Sequence, residues 1–252
     1  TNALKEGQFF IMLQPKYSLS STHLVGAEAL VRWNHPTKGL VPPTDFINLL
    51  ETHNLLVTLD MYVLEQVCKL LTRWKAEQKP LLPISVNQSR SHLFSSNYER
   101  TLVNLVDQYG IDHHLMEFEL TESLFTHDIK HLSHVMENLR KHGFLVSLDD
   151  FGSGYSSLTM LKDVTIDVIK LDQGFLKGAD DHQRGKVVVE HIISMAKSLG
   201  ITTVAEGVET LEQVQMLTAL GCDAVQGFYF SQPLSITNYE ALLIDDRPRS
   251  FS

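Results

Sequence analysis

IMLQPKYSL (11–19) and LVGAEALVRW (24–33) are both β-rich, and only residues 20–23 separate them. That gap has no room for a helix, so the two runs are expected to pair as an antiparallel hairpin. Further along come PISVNQS (83–89), MEFELTES (116–123), FLVSLDDF (144–151), VIKLD (168–172), TTVAEGVE (202–209) and AVQGFYFS (224–231). Helical periodicity fills most of the intervals. Met61, Leu64, Val67, Leu71 and Trp74 step by three or four residues, as do Val188, Ile192, Met195 and Leu199. Gly110, Gly143, Gly200 and Gly221 each fall between a helical stretch and the next strand, where a left-handed residue stops a helix. Thr210 and Gln213 have the spacing of a capping box. A paired start followed by alternating strands and helices predicts an α/β fold, a closed (β/α) barrel with an irregular opening. An open doubly wound sheet is the alternative.

The chain of 252 residues suits one such barrel, and no shift in composition marks a linker. With 43% hydrophobic residues it is not a disordered chain. Twenty-one basic against thirty acidic side chains give a net charge of −9, which disfavours duplex nucleic acid as a partner. A phosphate-bearing substrate would therefore need local positive charge, and a metal ion is the obvious source. Cys68 and Cys222 lie in apolar contexts and read as reduced core thiols. No stretch reaches the ~20 apolar residues of a membrane span, and the start lacks the apolar core of a signal peptide. The expectation is a cytoplasmic domain cut from a longer protein, whose other segments are open to anchoring it at a membrane.

Polar residues then stand out at the strand ends. Glu28, Asn87, Glu119, Asp149, Asp150, Lys170, Glu206 and Gln226 fall late in, or just after, apolar runs. In a parallel barrel these ends converge on one mouth. So many carboxylates from different strands would repel one another unless cations relieved them. All-oxygen ligation suits Mg²⁺, Mn²⁺ or Ca²⁺ rather than Zn²⁺, and adjacent aspartates suit a pair of metals. The residues alone thus reach a metal-assisted reaction, on a phosphate ester.

GAEALVRW, SVNQS, ELTES, LDDFGSGYSSL, IKLD, VAEGVET and QGFYFSQP, in this order, resemble the motifs of the EAL family of cyclic di-GMP phosphodiesterases over nearly the whole chain. The resemblance implies one EAL-type domain over 1–252, folded as a modified TIM (β/α)8 barrel with an antiparallel strand near the start. It implies hydrolysis of cyclic di-GMP to linear 5′-pGpG by in-line attack of a metal-activated water, with two Mg²⁺ or Mn²⁺ ions per active site. A catalytically silent cyclic di-GMP receptor, signalling through a protein partner, is the alternative within the same fold. A homodimer organised around residues 151–158, and attached sensor or GGDEF-type domains in the full-length protein, also follow from the resemblance.

Carried over position by position, the resemblance has Glu28, Asn87, Glu119 and Asp149 hold the first metal. Asp149 bridges to the second, which Asp150 and Glu206 complete. Lys170 positions the attacking water and steadies developing charge, and Glu206 is the candidate general base. Gln14, the main chain at Leu30, Arg32, Glu209 and Gln226 contact the dinucleotide. Glu122, three residues beyond Glu119 and so on the opposite face of an extended strand, positions the loop that starts at Phe151. The family's pattern is departed from at Gln173-Gly174, which bears on rate and regulation, while Ser153 occupies a variable place. His127, His131 and His134 read as a solvated helix face, His113-His114 as loop residues, Glu117 as a buried structural partner, and Trp33 and Trp74 as core.

Overall fold

A computed structural model of the protein describes residues 2–95, 97–126, 129–152, 161, 162, 164–176 and 183–245. Among the described residues nine strands form one sheet: β1 (Phe9–Ser18), β2 (Leu24–His35), β3 (Gly39–Val41), β4 (Ile84–Asn87), β5 (Met116–Thr121), β6 (Leu145–Phe151), β7 (Val168–Leu171), β8 (Thr202–Ala205) and β9 (Ala224–Val225). Strand β1 pairs with both β2 and β9, so the sheet closes on itself, and β3 merely extends the free end of β2. The open sheet is thereby excluded. Both pairings of β1 are antiparallel, with Gln14 opposite Glu28 and Tyr17 opposite Val225, whereas the contacts from β2 through β4 to β9 are parallel. The short connection of residues 20–23 dictates this exception, because a parallel neighbour needs a crossover of a dozen residues or more.

Helices cover the outside of the barrel. In the helix Leu56–Ala76, Leu64, Val67, Leu71 and Trp74 are buried, and Trp74 stacks on Tyr239 at 5.8 Å. In the helix Gln183–Ser198 the core takes Val189, Ile192, Ile193 and Ala196. Val188 and Leu199, part of the periodic row seen in the sequence, are 46% and 54% exposed. That helix is apolar over a broader arc than the sheet can cover. The glycine stops are present: Gly110, Gly143, Gly200 and Gly221 have φ of 62°, 90°, 71° and 77°. So is the capping box of Thr210 and Gln213 on the helix Leu211–Leu220.

Strands β8 and β9 stop at Ala205 and Val225, well short of the runs 202–209 and 224–231. Beyond them the two chains cross-link irregularly, Val208 N–H donating to Gln226 O (3.2 Å) and Tyr229 N–H to Val208 O (3.0 Å). A Cβ at Gly227 would lie 2.2 Å from Val208 O, so only glycine permits this approach. Cys68 and Cys222 are buried free thiols. No helix among the described residues is long and apolar enough to cross a membrane.

Candidate active site

Residues two apart on a strand share a face, so each barrel strand sends a ladder of side chains inward. The rung nearest the mouth carries Gln14, Glu28, Asn87, Glu119, Asp149, Lys170, Glu206 and Gln226, mid-strand on β1 and β2 and near or just past the C-terminal end of the six others. The rung beneath carries Lys16, Gly26, Ser85, Glu117, Ser147, Val168, Val204 and Ala224. The last three form a small apolar cluster. The mouth rung is thus entirely polar, and the lower rung is apolar on one side only.

Lys170, 1% exposed, stands at the centre of the mouth rung. Its Nζ lies 2.7 Å from Glu206 Oε1, 2.8 Å from Glu119 Oε2, 3.0 Å from Asp149 Oδ1 and 3.4 Å from Glu28 Oε2. Asn87 Nδ2 donates to Glu28 Oε1 at 2.9 Å, which leaves its carbonyl oxygen for another contact. Gln226 Nε2 donates to Glu28 Oε2 (2.7 Å) and to Gln14 Oε1 (3.0 Å). Among the described residues, the buried Oε1 of Gln226 has no protein donor.

The electrostatics follow from burial and crowding. Burial alone would push the Lys170 ammonium down, but Glu119, Glu206, Glu28 and Asp149 hold it well above its ordinary value. Burial also opposes ionisation of Glu119, yet Lys170 and Lys16 outweigh it and hold its carboxyl at about 2. Glu206 goes the other way: burial, helped by the charges of Asp149, Glu28 and Glu119, pushes it up to about 8 despite Lys170. Glu28, Asp149 and Asp150 are all raised, burial being the first cause in each. One ammonium does not neutralise this many carboxylates, so the site favours added cations.

Asp149, Asp150 and Glu206 each offer a carboxylate oxygen, and these oxygens lie within 4.8 Å of one another. The full set of donors here is oxygen only, from carboxylates and one amide, which fits Mg²⁺ or Mn²⁺. Histidines form no comparable group among the described residues: His131 stacks on Phe94 at 5.0 Å and His134 meets Asn138 at 3.1 Å. His127 and Ser153 lie outside the described residues.

Two cavities flank the hydrogen-bonded Asn87–Glu28 pair, Glu28 lining one and Asn87 the other. One of about 390 Å³ is walled by Gln14, Asp149, Lys170, Gln173, Glu206 and Glu209, with Phe228 60% exposed at its rim. The other, of about 350 Å³, is walled by Leu30, Arg32, Pro43, Asp60, Asn87 and Gln88. Gln14, Glu28, Asp149, Asp150, Glu206, Glu209 and Gln226 line the first cavity and Leu30, Arg32 and Asn87 the second, while Glu119 lies beneath them against Lys170. Glu122 stands outside both, 3% exposed, where its Oε2 accepts the Gly152 N–H at 2.8 Å. Gln173 and Gly174 lie in a short 3₁₀ turn that Asp172 caps. A Cβ at Gly207 would lie 2.6 Å from that of Gln173, so the turn packs directly on the segment carrying Glu206.

The sequence reading missed Lys16 and Ser85. Lys16 Nζ contacts Ser85 Oγ (2.9 Å), both oxygens of Glu117 (3.2 and 3.3 Å) and Glu119 Oε1 (3.3 Å). Its signal was its register: Lys16 follows Gln14 by two on β1, the spacing that also joins Glu117 to Glu119.

The sequence model of the EAL domain family matches residues 1–233. The chain is 36% identical, over 91% of its length, to the cyclic di-GMP phosphodiesterase PA2567 of Pseudomonas aeruginosa, matching 39% of that protein. It is 35% identical, over 96% of its length, to the cyclic di-GMP phosphodiesterase NbdA of the same organism, matching 31% of that protein. The chain thus spans well under half the length of these curated relatives. Among solved structures, the PaMucR phosphodiesterase in its c-di-GMP complex aligns with a TM-score of 0.89 at 32% identity, over 94% of this chain and 96% of that one. The EAL domain protein of Listeria monocytogenes EGD-e aligns with a TM-score of 0.85 at 28% identity, over 95% of this chain and 94% of that one.

Proposed function

The chain belongs to the EAL domain family, and we propose that it hydrolyses one phosphodiester of cyclic di-GMP to give linear 5′-pGpG. The observation that carries this reading is the uninterrupted ring of Glu28, Glu119, Asp149 and Glu206 around Lys170, with Asp150 beside it. Glu28, Asn87, Glu119 and Asp149 would hold one Mg²⁺ or Mn²⁺, and Asp149, Asp150 and Glu206 a second. When bound, such ions polarise a phosphate and make water a better nucleophile. The protein supplies the rest. Lys170, locked by four carboxylates, presents a charge that needs no reorganisation as negative charge grows on the phosphate oxygens. Glu206, 2.7 Å from Lys170, is placed to take the proton of the attacking water. The two cavities flanking the Asn87–Glu28 pair give a two-base ligand one recess each, with Arg32 and Leu30 in one and Gln14, Glu209 and Gln226 in the other.

The test is direct. Protein incubated with cyclic di-GMP and Mg²⁺ or Mn²⁺ should release 5′-pGpG, and excess chelator should stop it. Tight binding without 5′-pGpG would instead identify a receptor and overturn the hydrolase reading.

The same proposal includes a homodimer organised around residues 151–158, of which those after Gly152 lie outside the described residues; it rests on the resemblance, and light scattering tests it. Placement in a longer protein with sensor or GGDEF-type domains rests on the resemblance as well, and a cytoplasmic location on the reading of Cys68 and Cys222 as reduced thiols.

A further inference from the structure

Below the mouth, Glu119 is gripped from underneath. Its Oε2 meets Lys170 at 2.8 Å, and its Oε1 meets Lys16 at 3.3 Å. Lys16 is 4% exposed and is anchored in turn by Glu117 (5% exposed) and by the hydroxyl of Ser85, which is fully buried. The chain Glu117–Lys16–Glu119–Lys170 therefore runs from the barrel interior to the mouth. A buried pair of Lys16 and Glu117 would be an expensive way to fill space, since apolar residues of similar volume are commonly as stable or more so. The other side of the same rung shows that option in use, with Val168, Val204 and Ala224.

We propose that Lys16 is a positioning residue for the metal-binding carboxylate of Glu119. By holding Oε1 it fixes the rotation of the carboxylate and keeps Oε2 aimed at the mouth. Glu117 and Ser85 serve to hold Lys16 at that height. Partners of this kind behind a ligand commonly change metal affinity by ~10–100-fold when removed. The inference rests on the reading of Glu119 as a metal ligand.

The experiment compares three variants of the whole chain by calorimetric titration with Mn²⁺ alone, by thermal melting, and by kcat and KM for cyclic di-GMP. Lys16→Met combined with Glu117→Gln removes both charges of the lower rung together, so no buried charge is stranded. Should that protein not fold, Lys16→Gln combined with Glu117→Gln replaces it with a polar pair. Glu117→Gln alone keeps Lys16 on Glu119, and Glu119→Gln removes the ligand itself. The expected result is Mn²⁺ binding weakened ~10-fold or more and a lower kcat in the double variant, with a smaller loss in Glu117→Gln, whose amide oxygen still accepts from Lys16. Parental Mn²⁺ affinity in the double variant, while Glu119→Gln loses it, would overturn the role of Lys16 and leave the site reading standing. Parental affinity in Glu119→Gln would overturn the ligand reading itself, and the inference with it.

Discussion

Asp149 and Asp150 are consecutive in strand β6, where alternation sends neighbours to opposite faces, yet a carboxylate oxygen of each lies within 4.8 Å of the other and of Glu206. The register explains it. Leu148 pairs with Ile169 and Phe151 with Leu171, so one extra residue is accommodated at the two aspartates. Asp150 takes it up with φ of 54°, and its N–H turns back to Asp149 Oδ1 at 3.0 Å. A bulge at a barrel rim re-aims a side chain, and here it adds a second acid to the mouth.

Asp150→Asn should test the charge without disturbing that conformation, because asparagine tolerates the left-handed region. Hydrolysis of cyclic di-GMP is expected to fall by ~10²-fold or more, the scale of losing one preorganised electrostatic group. The melting temperature should hold or rise, since a repulsive charge is gone. Asp150→Val should lose activity and also cost ~1–2 kcal/mol of stability, because a β-branched residue resists positive φ. Equal melting temperatures for the two variants would contradict the bulge.

Lys170→Met should lower kcat by ~10²–10³-fold while KM changes only a few-fold, because its charge acts on negative charge that grows in the transition state. Steady-state kinetics at saturating Mn²⁺ decide it. Unchanged kcat with a raised KM would assign Lys170 to uniform substrate binding instead.

Glu240 ties the helix Ile236–Ile244 to the helix Leu56–Ala76. Its Oε1 accepts the Trp74 Nε1–H at 2.9 Å, its Oε2 meets Lys79 at 2.7 Å, and Arg73 adds a third contact. Burial pushes its carboxyl up, but Lys79, Trp74 and Arg73 outweigh it and hold the group below its ordinary value. A carboxyl lowered on folding stabilises above its unfolded value and loses that contribution as pH falls through its folded one. Glu240→Gln should therefore cost on the order of 1 kcal/mol near neutral pH. The difference from the parent should close below pH ~4. Chemical denaturation at both pH values checks this, and a difference independent of pH would refute it.

The sequence shows the mouth of the barrel more plainly than its floor, and the reason is physical. Glu28, Glu119, Lys170 and Glu206 are charges within or at the ends of apolar runs, an anomaly that the order of residues exposes. The hairpin of β1 and β2 is legible because residues 20–23 leave no alternative. Lys16 is equally buried, but in LQPKYSL it sits among polar neighbours and looks like a surface lysine; only the register with Ser85 and Glu117 shows where it points. The bulge at Asp150 leaves no mark at all, since neither glycine nor proline announces it. The early ends of β8 and β9 were hidden too, because Val208 is buried in the core and Tyr229 packs against it although neither lies in a strand.

Glu122 opens the 3₁₀ turn Glu122–Thr126 directly after β5, with its side chain buried against the exit of β6. It accepts the N–H of Gly152, whose φ of 90° lies two residues past the bulge. A Cβ at Gly152 would collide with the Phe175 ring, so the main chain there is pinned between an aromatic face and a carboxylate. Loss of the acceptor leaves a partly buried N–H without this bond and lets the end of β6 drift, which shifts Asp149 and Asp150 together. Glu122→Ala is accordingly expected to cut kcat by ~10-fold or more, since small misplacements of a reacting constellation are costly. Mn²⁺ binding should survive, because the ligands themselves remain. Hydrogen exchange at the Gly152 amide should accelerate in Glu122→Ala and recover in Glu122→Gln, whose amide oxygen can still accept. Unchanged exchange with full activity would remove Glu122 from this role. A metal-bound structure with a Glu122 oxygen at ~2.0–2.6 Å from an ion would make it a ligand instead.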